Sequence, residues 1–133
     1  MITSDVELPV GSLPVTHPVS TSVDLPDTWA YGAGVLHGGW LLETMTAAAL
    51  QHTDHPHPLA VSAHYAAAPV IGTGEVTVEV LREGRSVAML RARLAQEGRV
   101  KVEALITCGS LPDPATTPFL LDSAPPVLPP PEQ

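Results

Sequence analysis

Aromatic residues are scarce in this chain: five of 133 positions, 4% of the sequence, with one Phe, two Trp and two Tyr. A core without large rings must be filled by Ala, Val and Leu, and small side chains favour close packing of a helix on a sheet. Cysteine is nearly absent. Cys108 stands alone, so no intramolecular disulfide can form, which fits a reducing compartment. Positive charge is short as well, with six Lys and Arg against fourteen Asp and Glu and a formal net charge of −8. That balance argues against nucleic acid or an anionic membrane as partner. No apolar run reaches the roughly 18 residues of a membrane span, and no basic-then-apolar leader opens the chain, so a cytoplasmic location is expected.

Proline, by contrast, is abundant and unevenly placed. Pro9, Pro14 and Pro18 punctuate the start, and eight of the fifteen prolines lie between Pro112 and Pro131. Residues 1–19 therefore read as a flexible lead-in, 20–110 as the folded domain, and 111–133 as a Pro-rich tail or linker.

Inside the domain the most informative run is Val35-Leu36-His37-Gly38-Gly39-Trp40-Leu41-Leu42-Glu43-Thr44-Met45-Thr46, continuing through three alanines to Leu50. Paired glycines let a backbone come close to another element or to a ligand. The residues behind them are strong helix formers, and a helix over about 38–51 is expected to be buried all round. A helix opening on two glycines also offers backbone N–H groups to an anion or a developing oxyanion.

After the helix the period changes from 3.6 to 2. Leu59 to Ala67 puts Val61, Ala63 and Tyr65 on one face. Val76, Val78 and Val80 alternate with Glu75, Thr77 and Glu79. Ala88, Leu90, Ala92 and Leu94 alternate with Met89, Arg91 and Arg93, and Val100, Val102, Ala104 and Ile106 follow the same rule. Glu83-Gly84 and Glu97-Gly98 are turn signals between these runs. Two consecutive hairpins predict an antiparallel meander with one buried face, and the helix supplies the cover: an α+β domain.

The order of strand, helix and meander, His37-Gly38-Gly39 ahead of the apolar helix, and the pieces Leu81-Arg82-Glu83-Gly84-Arg85-Ser86 and Ala95-Gln96-Glu97-Gly98-Arg99 resemble the hotdog-fold acyl-CoA thioesterases. The similarity is best to the N-terminal repeat of the double-hotdog type, acyl-CoA thioesterase II. The resemblance implies a curved antiparallel sheet wrapped around a central helix and an acyl-CoA thioester as ligand. It implies hydrolysis with the carbonyl at the helix N-terminus, no cofactor, and a homodimer that hides its sheet edges by pairing two domains.

Carried over residue by residue, Gly38 and Gly39 fall where the carbonyl is polarised, His37, Gly38, Trp40 and Arg85 fall where substrate is bound, and Arg85 also recurs at a turn where it would pin the hairpin. The departures concern the acid. In single-repeat relatives an Asp or Glu lies nine residues after the His; here that position is Thr46, and the helix carboxylate is Glu43, six residues after His37. The Asp, Thr and Gln that serve the double-repeat type belong to its C-terminal repeat and have no match here: Pro58 and Leu59 stand in place of the hydroxyl, Ile106 and Thr107 in place of the Gln. Glu43, Gly39 and Thr46 are thus the candidate catalytic positions. The alternative is a non-catalytic module that binds a thioester or pairs with a catalytic hotdog partner. A hydratase is disfavoured because its Asp-x-Asn-Pro-x-His string is absent.

Two further clusters carry a plainer reading. His52, Asp54, His55 and His57 sit in a loop broken by Pro56 and Pro58, with nothing placed to complete a ligand shell, so no metal is expected. Arg91, Arg93 and Lys101 share the outer face of the meander. Pairing with Glu79, Glu83, Glu97 and Glu103 across the strands is expected there ahead of a contact with coenzyme A phosphates.

Overall fold

The computed structural model describes residues 17–116 and 126–127. Most of the predicted lead-in (1–19) and much of the tail (111–133) lie outside these residues. The elements run β1 (Val19–Leu25), a 3-10 turn (Asp27–Trp29), β2 (Ala30–Tyr31), β3 (Val35–Leu36), α1 (Gly38–Leu50), β4 (His57–Tyr65), β5 (Gly72–Glu83), β6 (Val87–Gln96) and β7 (Arg99–Gly109). Five strands form one antiparallel sheet in the order β1-β5-β6-β7-β4. The order puts β1 and β4 at the two edges.

The hairpins follow from local chemistry. Between β6 and β7 only Glu97 and Gly98 remain, with φ of 51° and 72°. Two positive φ values in a two-residue loop match the right-handed twist of the flanking strands.

The alternation predicted for the meander is the alternation observed. Ala88, Leu90, Ala92 and Leu94 on β6 and Val102, Ala104, Ile106 and Cys108 on β7 are all buried. Val100 departs from its run and is exposed, beside a register shift between Leu94 and Ala95. The floor under the helix pairs small residues, Ala92 opposite Ala104 and Ala88 opposite Cys108. This is what the scarcity of aromatics implied: the helix lies close on the sheet.

The helix itself corrects an expectation. It is not buried all round. Leu41, Met45 and Ala49, four residues apart, go into the core, while Gly39, Glu43 and Ala47 form an exposed line along the other side. Almost every side chain is apolar or small, so the sequence offers no amphipathic stripe by which to choose a face.

On the outer face two of the four expected acids, Glu79 and Glu103, pair with the arginines, while Glu83 faces His55 instead. Arg91 Nη1 lies 3.2 Å from Glu79 Oε2 and Arg91 Nε 3.3 Å from Glu103 Oε1, and Arg93 Nε is 3.3 Å from the same Glu103 oxygen. These two arginines are therefore neutralised within the sheet.

Candidate functional site

The site is built at the start of α1. His37 is the N-cap: with φ −66° and ψ 125° it stands just outside the helix, and its Nδ1 accepts the Gly39 N–H at 3.2 Å. The ring's own proton then sits on Nε2 when the ring is neutral. Leu41 N–H returns to the His37 carbonyl at 3.1 Å. Of the first helical N–H groups, those of Gly38 and Trp40 remain for another acceptor. The Gly39 N–H, expected to polarise a carbonyl, is engaged by His37 instead. Gly39 contributes bare backbone there: a Cβ on it would stand 3.2 Å from His37 Cε1 and 3.3 Å from Nδ1.

All four aromatic rings of the described residues gather around this point. Trp40 stacks on Trp29, with centroids 6.4 Å apart and planes 14° from parallel. Tyr31 meets the His37 imidazole edge-on at 6.4 Å. Tyr65, the last residue of the edge strand β4, reaches back to donate its hydroxyl to the Gly38 carbonyl at 2.7 Å. Trp29 and Tyr31 are half or more exposed, at 50% and 60%.

Two concavities flank the helix start. One, about 330 Å³, is apolar and lined by Tyr31, Val35, Leu36, Gly38, Tyr65 and the segment Ala67–Pro69. The other is an open groove of about 410 Å³ between α1 and β4. Gly39, Leu42, Glu43, Thr46, Ala47 and Val61 line it. The three positions singled out as catalytic thus face one groove. Glu43 is exposed on the crest of the helix, one turn beyond Gly39, and its carboxylate makes no hydrogen bond or ion pair with another described residue.

Arg85 is placed apart from the rest. It lies exposed in the turn between β5 and β6. That turn is tied to the loop after the helix: Thr53 Oγ1 donates to Glu83 Oε1 at 3.0 Å, and His55 Nε2 bonds the Gly84 carbonyl at 2.8 Å. It stands at the far end of a 13-residue helix, which at about 1.5 Å per residue is about 20 Å long. The His-rich loop is thereby a latch, and among the described residues no group of His, Cys, Asp or Glu is arranged to hold a metal ion.

Sequence reasoning missed Trp29, Tyr65 and the hairpin β2–β3. Tyr65 shares a strand face with Val61 and Ala63, and a tyrosine on that face, in a chain whose helix begins with glycines, was the available signal. The hairpin had no period to read, being two residues on each side of a turn at Ala33 and Gly34, both at positive φ.

One antiparallel sheet of five strands laid against one helix, with an aromatic-ringed helix start, defines a hotdog domain. The chain belongs to the family of acyl-CoA thioesterase N-terminal domains, which it matches over residues 25–109. No curated protein matches it. Among solved structures it is similar to a proposed thioesterase II of Thermobifida fusca YX, with 28% identity and a TM-score of 0.74, over 83% of this chain and 41% of that one. It shares its fold with a hot dog protein of unknown function from Alicyclobacillus acidocaldarius (22% identity, TM-score 0.69, 84% of this chain and 41% of that one). It also shares it with a hypothetical thioesterase of Streptococcus pneumoniae TIGR4 determined with coenzyme A (20% identity, TM-score 0.63, 69% and 77%). The chain spans less than half the length of the Thermobifida protein. No described helix is long and apolar enough to cross a membrane.

Proposed function

We propose that this domain hydrolyses an acyl-CoA thioester whose carbonyl sits at the start of α1. The observation that carries the reading is the groove itself: Gly39, Glu43 and Thr46 share one open, largely apolar channel that begins at a helix N-terminus. A thioester carbonyl placed there meets the positive end of the helix dipole and the N–H groups of Gly38 and Trp40, which stabilise negative charge as it develops on the oxygen. Glu43 takes a proton from water, the water oxygen bonds to the carbonyl carbon, and the carbon–sulfur bond of the tetrahedral intermediate breaks. The proton held by Glu43 passes to the departing sulfur, leaving a carboxylic acid and free coenzyme A.

His37 fixes the geometry by capping the helix, Tyr65 holds the Gly38 carbonyl away from the incoming oxygen, and Trp40 is held by Trp29. Arg85 is assigned to coenzyme A phosphate. At the far end of its own helix, it reaches a bound ligand most readily from a second copy. The domain is accordingly proposed to work as a homodimer, soluble and cytoplasmic, with no cofactor.

The test is hydrolysis of short, medium and long acyl-CoAs by the purified chain. Glu43→Gln is expected to lower turnover by about 10²–10⁴, the usual contribution of a general base. Thr46→Asp is expected to raise it, because it restores a carboxylate at the position used by single-repeat relatives. Turnover that survives Glu43→Gln removes Glu43 from the mechanism. Binding without turnover on any acyl-CoA decides for a thioester-binding module.

A further inference from the structure

Gln96 is the buried polar residue of the core, 7% exposed and alone of its kind among the described residues. Its amide behaves like a piece of strand backbone. Oε1 accepts the Val70 N–H at 2.9 Å, and Nε2 donates to the Val70 carbonyl at 2.9 Å and, at 3.5 Å, to that of Thr73. The side chain thus satisfies both polar groups of one residue in the crossover between β4 and β5.

That crossover has a second attachment. Val70 bridges Val35, Ile71 N–H bonds the Gly34 carbonyl at 3.2 Å, and Leu36 N–H bonds the Pro69 carbonyl at 3.1 Å. Leu36 is followed directly by His37, the cap of α1. Ala67, Ala68 and Pro69 of the same crossover form one wall of the 330 Å³ cavity, with Val35 and Leu36 beside them. Pro69 has no N–H of its own to give. A continuous path therefore runs from Gln96 through Val70 and β3 to the helix start.

We infer that Gln96 is a positioning residue: through the Val70 backbone it sets the crossover, β3 and the His37–Gly38 entry to the helix. A buried amide that only filled space would be replaceable by an apolar chain of the same length, whereas a clamp needs its donor and its acceptor together. The inference rests on the proposed thioester site only for what the cavity receives. Amide exchange reads the clamp with no substrate present, so failure of the hydrolysis reading leaves this test standing.

The experiment is hydrogen exchange, as protection factors, on the full chain and two variants. In Gln96→Met the amides of Val70, Leu36 and Ile71 are expected to exchange about tenfold faster or more, while Ala92 and Ala104 in the middle of the sheet keep their protection. Gln96→Glu is the internal control. As a carboxylate it accepts from Val70 N–H and faces two carbonyls with no donor; once protonated it donates again. Its protection at Leu36 and Ile71 is expected to be lost at about pH 8 and regained by about pH 5, since burial raises a carboxyl above its ordinary value. Unchanged exchange at Leu36 and Ile71 in Gln96→Met overturns the inference. So does equal loss across the whole sheet, or a Gln96→Glu that does not recover on acidification.

Discussion

His37 shows how one side chain both builds and limits the site. As N-cap it satisfies the Gly39 N–H, a contribution of about 1 kcal/mol for an ordinary cap, and in doing so withdraws that group from the ligand. Gly39 must stay small for two reasons: its Cα faces the groove, and a Cβ would press on the imidazole at 3.2 Å. Gly39→Val is therefore expected to weaken binding of a non-hydrolysable acyl-CoA thioether by about tenfold or more, in step with loss of the cap. Calorimetric titration of wild type and variant measures it, and equal affinities would remove the helix start from the binding site. Glu43 follows the same logic one turn later: a carboxylate on an exposed helix line, with no partner among the described residues, faces whatever enters the groove.

At the scale of elements, the packing is decided by small residues. Met45 and Leu41 of α1 descend onto a sheet surfaced by Ala88, Ala92 and Ala104, and Cys108, one residue before the end of β7, is fully buried opposite Ala88 and Pro58. Burial pushes the Cys108 thiol above its ordinary value of 9.0, and the nearby Glu83 carboxylate pushes the same way. The sign of the pH dependence follows. The unfolded chain gives up this proton at lower pH than the folded one. The contribution to stability is complete below the unfolded value and is lost as pH rises through 9.0 toward the folded value. Chemical denaturation is expected to show a falling midpoint between about pH 8 and about pH 10 that Cys108→Ala flattens. The thiol should also resist alkylation until the fold opens. A thiol that reacts in the native state as fast as a free one would contradict its placement.

The meander was legible because each strand shows one face to the core and one to water, so residues two apart in β5, β6 and β7 declare themselves. The glycine turns between them were legible for the same local reason. What was hidden is non-local or without period. Tyr65 finds Gly38 across 27 residues, and Gln96 finds Val70 across 26. The exposed line of α1 carries a single charge, Glu43, between a glycine and an alanine, too little to mark a polar face in the sequence. Gly39, Glu43 and Thr46, singled out by their spacing from His37, line one groove. Spacing could not show that the turn carrying Arg85 is latched by His55 to the opposite end of the helix.

At the scale of the whole molecule, the groove is half a channel. Among the described residues its far side is open, and the strand that borders it, β4, pairs with β7 along one edge and with no strand along the other. Leu59, Val61 and Tyr65 along that strand are each more than a third exposed. An edge of nine residues with apolar side chains beside it invites a second strand. The Thermobifida and Alicyclobacillus chains are each less than half covered by this one, so in both a domain-sized length remains beyond the match. In this chain a second copy is the proposed cover, with β4 meeting its symmetry mate about a two-fold axis and the two grooves closing on each other. Antiparallel pairing of the β4 edges would also bring the far end of one helix toward the start of the other, and with it the partner's turn between β5 and β6. Light scattering at micromolar concentration is expected to return twice the chain mass. Val61→Lys, which sets a charge at the centre of that edge, should return the monomer with its circular dichroism unchanged and acyl-CoA affinity reduced. A wild-type monomer at that concentration, or a Val61→Lys dimer, would mean that something other than a second copy closes the groove.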